Sequence, residues 1–143
     1  MMRKLDQRGV AALEFCIIAV PLFFLMFAVF DLGRYAITRQ SLHALANVGA
    51  RKMMIKCYTP AAIANTSPSG CTDINTYFPD PEKQAIAPFL YAGGLTPKLS
   101  TVAGAAALTV KAEFGPPGPG FKMLMPIWGG ALDAPSASTS VPF

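Results

Sequence analysis

Charge is what this sequence has least of. Only 14 % of its 143 residues are charged, against about a quarter in an ordinary soluble domain. Mean hydropathy is +0.40. Such a composition excludes a disordered chain and an acidic solvating domain. The net charge of +4 is carried without the stripe of Lys and Arg that a nucleic-acid groove needs. Arg51, Lys52 and Lys56 are the nearest approach to one, and they read as the solvated end of a helix, so no nucleic-acid partner is expected. Histidine is nearly missing as well, with His43 alone. There is no His-Glu-x-x-His, no Cys-x-x-Cys, no Gly-x-Ser-x-Gly and no P-loop. The Gly-Gly pairs at 93–94 and 129–130 read as turns. No catalytic residue, no metal site and no cofactor is therefore expected.

Missing charge is concentrated in one place. Residues 10–30 hold only Glu14 and Cys16 as ionisable groups. As a helix they would be roughly 30 Å long, the hydrocarbon thickness of a bilayer. Residues 1–9 form a short basic leader with Arg3, Lys4 and Arg8. Arg34 and Arg39 lie beyond the apolar run, offset in part by Asp31. The denser N-terminal charge places the N-terminus inside and the C-terminal part outside. A cleaved secretory signal fits poorly. The run exceeds an h-region, and the exit Ala28-Val29-Phe30-Asp31 offers no small-x-small site.

Proline is absent between Asp31 and Cys57. Tyr35, Leu42, Leu45, Ala46, Gly49 and Met53 recur there near a 3.6-residue period. Residues 31–57 thus read as an amphipathic helix continuing the apolar one, in a rod from Val10 to about Lys56, on the order of 70 Å long. Ala46, Gly49 and Ala50 leave room for a close neighbour. Pro21 removes a donor inside this rod, so a kink or local melt is expected near Ile17–Val20.

Residues 58–143 form a head rich in Pro, Gly, Ser and Thr. Tyr58 to Asp80 reads as a loop. Pro81 to Tyr91 reads as a short helix weakened by Pro88 and ended by Gly93-Gly94. Residues 106–114 alternate as a strand, with Leu108, Val110, Ala112 and Phe114 on one face. Gly115 to Gly120 is a turn or loop. Ala134 to Val141 is a candidate edge strand returning beside 106–114. Trp128 reads as a core residue of the head, with an exposed contact as the alternative. The fold class is α+β: a long membrane-spanning helix, an extramembrane amphipathic extension, and a small head with a hairpin or sheet.

Three cysteines are present. Cys16 reads as a small buried hydrophobe. Cys57 and Cys71 flank a loop in the part placed outside, where oxidising conditions permit a disulfide worth roughly 3 kcal/mol; two free thiols are the alternative. Glu14 is the most informative residue. A carboxylate in a membrane helix costs up to roughly 2.5–3.5 kcal/mol and marks a functional site with a partner to be named. If the chain is cut between Gly9 and Val10, the new α-amine of Val10 lies four residues before Glu14 and could meet Glu14 of a neighbouring subunit. The alternative is an interfacial Glu snorkelling to the headgroups.

The stretch Arg8-Gly9-Val10-Ala11-Ala12-Leu13-Glu14-Phe15 resembles a type IV prepilin processing site, with a basic leader, a Gly before the cut and Glu as the fifth mature residue. The Glu-Phe pair after a nine-residue leader resembles the Tad (tight adherence, Flp-type) branch, and the chain is similar to its TadE-like family. The resemblance extends through Pro21, Asp31-Leu32-Gly33-Arg34, Arg39-Gln40-Ser41-Leu42 and Asn47-Val48-Gly49-Ala50-Arg51. It implies cleavage after Gly9 by a prepilin peptidase and a role as a minor pilin or pseudopilin in building a pilus used in surface adhesion. The partners it implies are that peptidase, other pilins or minor pilins, the pilus assembly platform and the lipid bilayer of the bacterial inner membrane. An uncleaved single-pass anchor, whose head binds other components of a secretion or pilus machine, is the competing reading.

Overall fold

The computed structural model describes residues 7–104, 107–115, 120–125, 127 and 132–142. Residues 1–6 of the leader, most of the Gly115–Gly120 turn and Trp128 lie outside the described residues. Helix α1 runs from Gln7 to Met53 without interruption. A π-helical turn, Met54–Tyr58, and α2, Thr59–Ile63, carry it further. The rod expected to stop at about Lys56 therefore continues to Ile63. Pro60 does not break it, because a proline in the first turn of α2 has no intrahelical partner to lose. The amide and hydroxyl of Thr59 both donate to Met54 O, which closes the wide turn. Pro21 lies inside α1. Residues 17–20 around it are helical, so the local melt is not realised.

Disulfide Cys57–Cys71, with Cα atoms 5.9 Å apart, ties the end of this rod to the head. The segment expected to be a loop is mostly short helical turns: Pro68–Gly70, then α3, Ile74–Tyr77. Asp73 starts α3 by accepting from Asn75 N at 2.9 Å, an N-cap arrangement. That backbone donor holds the Asp73 carboxyl below the ordinary carboxylate range. The single helix expected over 81–91 is two, α4 Asp80–Ile86 and α5 Pro88–Ala92. Pro88 divides them because the residue before a proline is pushed out of the helical region; Ala87 sits at φ −126°. At the end of α5, Leu95 N donates to Leu90 O at 2.9 Å and Gly94 takes φ +72°, the left-handed stop that glycine supplies.

Three antiparallel strands complete the head in the order β1–β2–β3: β1 Lys98–Ala103, β2 Ala107–Glu113 and β3 Ser136–Pro142. Strands β2 and β3 lie where the alternation and the small polar tail placed them. Strand β1 was not read from the sequence. Val110 is opposite Thr101 on one side and Thr139 on the other. Leu108, Val110 and Ala112 of β2 are buried, with Leu99 of β1 and Ala137 of β3. They pack on the amphipathic stripe of α1, where Leu42, Leu45, Ala46, Ala50 and Met53 are buried. Gly49 lets the layers approach: a Cβ there would stand 2.8 Å from Ile74 Cδ1 and 3.1 Å from Leu99 Cδ2. Polar ties flank this core. Thr139 Oγ1 donates to Asn47 Oδ1 at 2.6 Å. Lys52 pairs with Glu82 and lies 4.9 Å from the Phe78 ring centroid. Lys83, almost fully buried, donates to Asn75 Oδ1 and Asp80 Oδ1, both at 2.8 Å.

Candidate assembly site

Residues 10–30 of α1 are apolar all round and almost wholly uncovered. Mean hydropathy reaches 2.5 in the most apolar window, which is only 6 % buried within the chain. A core helix of a soluble domain would be mostly covered by its own fold. This helix is instead long and apolar enough to cross a membrane, and its composition suits lipid or other helices on every side. Cys16 is exposed on this surface, so the burial expected for it would come from lipid or another helix, as for its neighbours.

The candidate processing junction is at the start of the same helix. Gly9 and Val10 are both within α1, and Val10 is exposed. Glu14 is exposed one turn later, on the same face by its four-residue spacing. Among the described residues it forms no ion pair. Sequence reasoning placed these three residues together at the head of an apolar helix, and the backbone does so. Among the described residues it supplies no partner for Glu14. The disulfide pair Cys57 and Cys71 belongs to the other end of the rod.

One residue that the sequence reading took as a flanking charge governs the border between the two halves of α1. Asp31 is fully buried. Its carboxylate accepts from Leu124 N at 3.0 Å and Met125 N at 2.8 Å, and Arg34 stands 3.8 Å away. The segment around Phe121 is thereby clasped to α1. The Phe121 ring packs edge-on against Tyr35, with centroids 6.1 Å apart, and the Arg34 guanidinium lies 5.5 Å from its centroid. Asp31 extends the stripe of Tyr35, Leu42 and Leu45 by about one turn and Thr38 fills it between Tyr35 and Leu42, which is the signal that could have found them. Below Asp31 no residue of 10–30 is buried among the described residues, and only Ala19 and Ala28 are even partly covered.

Among the described residues no three His, Cys, Asp or Glu side chains gather as a metal set would. The arrangement offers two acids of opposite circumstance on one helix. Glu14 is exposed and among the described residues has no counter-charge, whereas Asp31 is buried against two main-chain donors and Arg34.

Comparison with known proteins agrees with the resemblance at this helix. The family model described as TadE-like protein matches residues 9–51. The match begins at the candidate junction and ends inside α1, before the sheet and disulfide of the head. The match makes this helix similar to that of TadE-like proteins and suggests an involvement in Tad pilus assembly; the apolar half of the helix by itself suggests a membrane anchor. No curated protein and no solved structure matches the chain.

Proposed function

We propose that this chain is a minor pilin or pseudopilin of a Tad-type pilus, cleaved by a prepilin peptidase after Gly9 and assembled through Glu14. It acts as a substrate and structural component, not as an enzyme. The N-terminus lies on the cytoplasmic side of the bacterial inner membrane and the head in the periplasm or outside. The observation that carries the reading is Glu14, exposed and, among the described residues, without a counter-charge at the start of a bare apolar helix. Such a carboxylate is costly in hydrocarbon unless a cation meets it. Hydrolysis of the Gly9–Val10 bond would create one, since an α-amine with an ordinary pKa near 8 is protonated at neutral pH. That amine precedes Glu14 by one turn, so a modest axial offset between neighbouring helices would set the amine of one subunit against Glu14 of the next. The peptidase, other pilins and the assembly platform are the partners this reading requires. A second reading, a permanent anchor whose head binds other components, is favoured by the helical conformation of Gly9, since a peptidase needs access to the backbone. Glycine near a helix end opposes it, because a helical glycine is about 1 kcal/mol less favourable than alanine, so the turn there unwinds more readily.

The test is the intact mass and N-terminal sequence of membrane-extracted protein with and without its peptidase. A start at Val10 only with the peptidase is expected, followed by loss of pilus incorporation, with membrane insertion retained, in Glu14→Ala. A start at Met1 or Met2 in both samples leaves the permanent anchor.

A further inference from the structure

The clasped segment forms one wall of a cavity of about 700 Å³ between α1 and α5. Arg34, Thr38, Phe89, Leu95, Phe121 and Lys122 line it. Its walls are aromatic and aliphatic, and two of its polar groups are cations. No carboxylate is among the described lining residues; the nearby Asp31 accepts from two amides and stands 3.8 Å from one nitrogen of the Arg34 guanidinium, a planar group with five N–H donors. Thr38 is fully buried, and its Oγ1 has no hydrogen-bond partner. A buried hydroxyl left unpaired costs free energy that an acceptor placed in the cavity would recover. A phosphodiester flanked by apolar groups matches that lining.

The height of the cavity on the rod narrows the source. Arg34 is four residues beyond Phe30, a rise of about 6 Å. The polar layer outside a bilayer's hydrocarbon is of similar depth, roughly 5–8 Å on each side. Beside the cavity Leu124 is 65 % and Ile127 54 % exposed, and this apolar rim continues the bare surface of residues 10–30.

We propose that this cavity holds the phosphodiester headgroup of an anionic phospholipid from the leaflet through which α1 emerges. Arg34 and Lys122 pair with the phosphate, the Thr38 hydroxyl donates to it, and Leu124 and Ile127 lie among the neighbouring acyl chains. Asp31 sets the geometry by holding residues 121–125 at that level. The inference rests on α1 crossing a bilayer with its apolar half.

Native mass spectrometry of the full-length protein, titrated with short-chain phosphatidylglycerol, short-chain phosphatidylcholine or inorganic phosphate, tests it. About a tenfold preference for phosphatidylglycerol is expected from two cations near the headgroup. Arg34→Gln combined with Lys122→Gln should abolish the preference, Arg34→Lys should retain most of it, and Lys56→Gln, remote from the cavity, should leave it unchanged. Lys122→Gln alone, at an exposed side chain, and Thr38→Val should each weaken phosphatidylglycerol binding severalfold, which covers the case of a double variant that fails to fold. Equal binding of the two lipids overturns the proposal, as does a preference untouched by these substitutions. Displacement of the lipid by inorganic phosphate at equal concentration also overturns it, because the site would then recognise free phosphate. Extraction of membranes with alkaline carbonate separates the premises. Release of the chain refutes the membrane-spanning reading itself, whereas retention without headgroup preference refutes only the lipid site.

Discussion

Residues 10–30 and 31–53 belong to one uninterrupted helix, yet they meet their surroundings in opposite ways. In the first half Leu13, Phe15, Ile17, Ile18, Val20, Leu22 and Leu25 are all more than half exposed. In the second, Leu42, Leu45, Ala46 and Met53 are fully buried. Backbone hydrogen bonding makes the helix continuous in both, so it cannot be the source of the difference. The difference is what covers them. The head supplies a sheet, a set of short helices and a disulfide for the second half and nothing for the first. An apolar surface of that length bare in water would drive association, so its cover must come from lipid or from other helices. On the proposed reading, the same segment would serve a membrane before assembly and a helical filament after it, while the head's core stays intact.

The largest effect that should separate the halves is a core truncation. Leu45→Ala is expected to destabilise the head by about 2–5 kcal/mol through lost burial and a cavity. Leu25→Ala, the same change twenty residues earlier, should leave head stability within about 0.5 kcal/mol. Amide hydrogen exchange across Leu108 to Ala112, in detergent, measures both. If Leu25→Ala loosened β2 as much as Leu45→Ala, the two halves would be one cooperative unit and the comparison would fail.

The border itself should break next. Asp31→Ala leaves the amides of Leu124 and Met125 without an acceptor, at a cost of about 2 kcal/mol. Exchange of those two amides should speed up roughly 30-fold, with β2 protection retained. Unchanged exchange at Leu124 and Met125 would show that Phe121 packing alone holds the segment.

How far the sequence discloses this division depends on whether the cause is local. The stripe of the second half is legible because a one-sided cover imposes a 3.6-residue period on the residues it touches. Strand β2 is legible for the same reason, with Leu108, Val110 and Ala112 inward at a period of two. Strand β1 buries only Leu99 well, so Lys98 to Ala103 carries no such alternation. The helix end at Ile63 is obscured by Pro60, which reads as a breaker until the π turn gives it a first-turn position. Gly9, Val10 and Glu14 can be grouped from the sequence because they are spaced along one helix, which the structure shows, while the roles proposed for them rest on the resemblance. The clasp is not legible. Asp31 looks like a charge flanking an apolar run, and its partners are main-chain amides 93 and 94 residues away. Main-chain donors leave no side-chain signature, so only the position of Asp31 on the extended stripe hints at burial.

Two glycines sharpen the comparison at the scale of a single methyl group. Both sit in α1, where replacing glycine by alanine favours the helix by about 1 kcal/mol. At Gly33 a Cβ would meet nothing within 4 Å, so Gly33→Ala should deliver most of that gain. At Gly49 the same Cβ would press on Ile74 and Leu99, both buried in the core. Overpacking of this kind costs about 1–3 kcal/mol, which outweighs the helix term, so Gly49→Ala should lose about 1 kcal/mol net. Denaturant unfolding of the two variants side by side, in the same detergent, should move the midpoint in opposite directions. A stabilised Gly49→Ala would mean that Ile74 can turn aside, and that the close approach of sheet and helix does not depend on a glycine there.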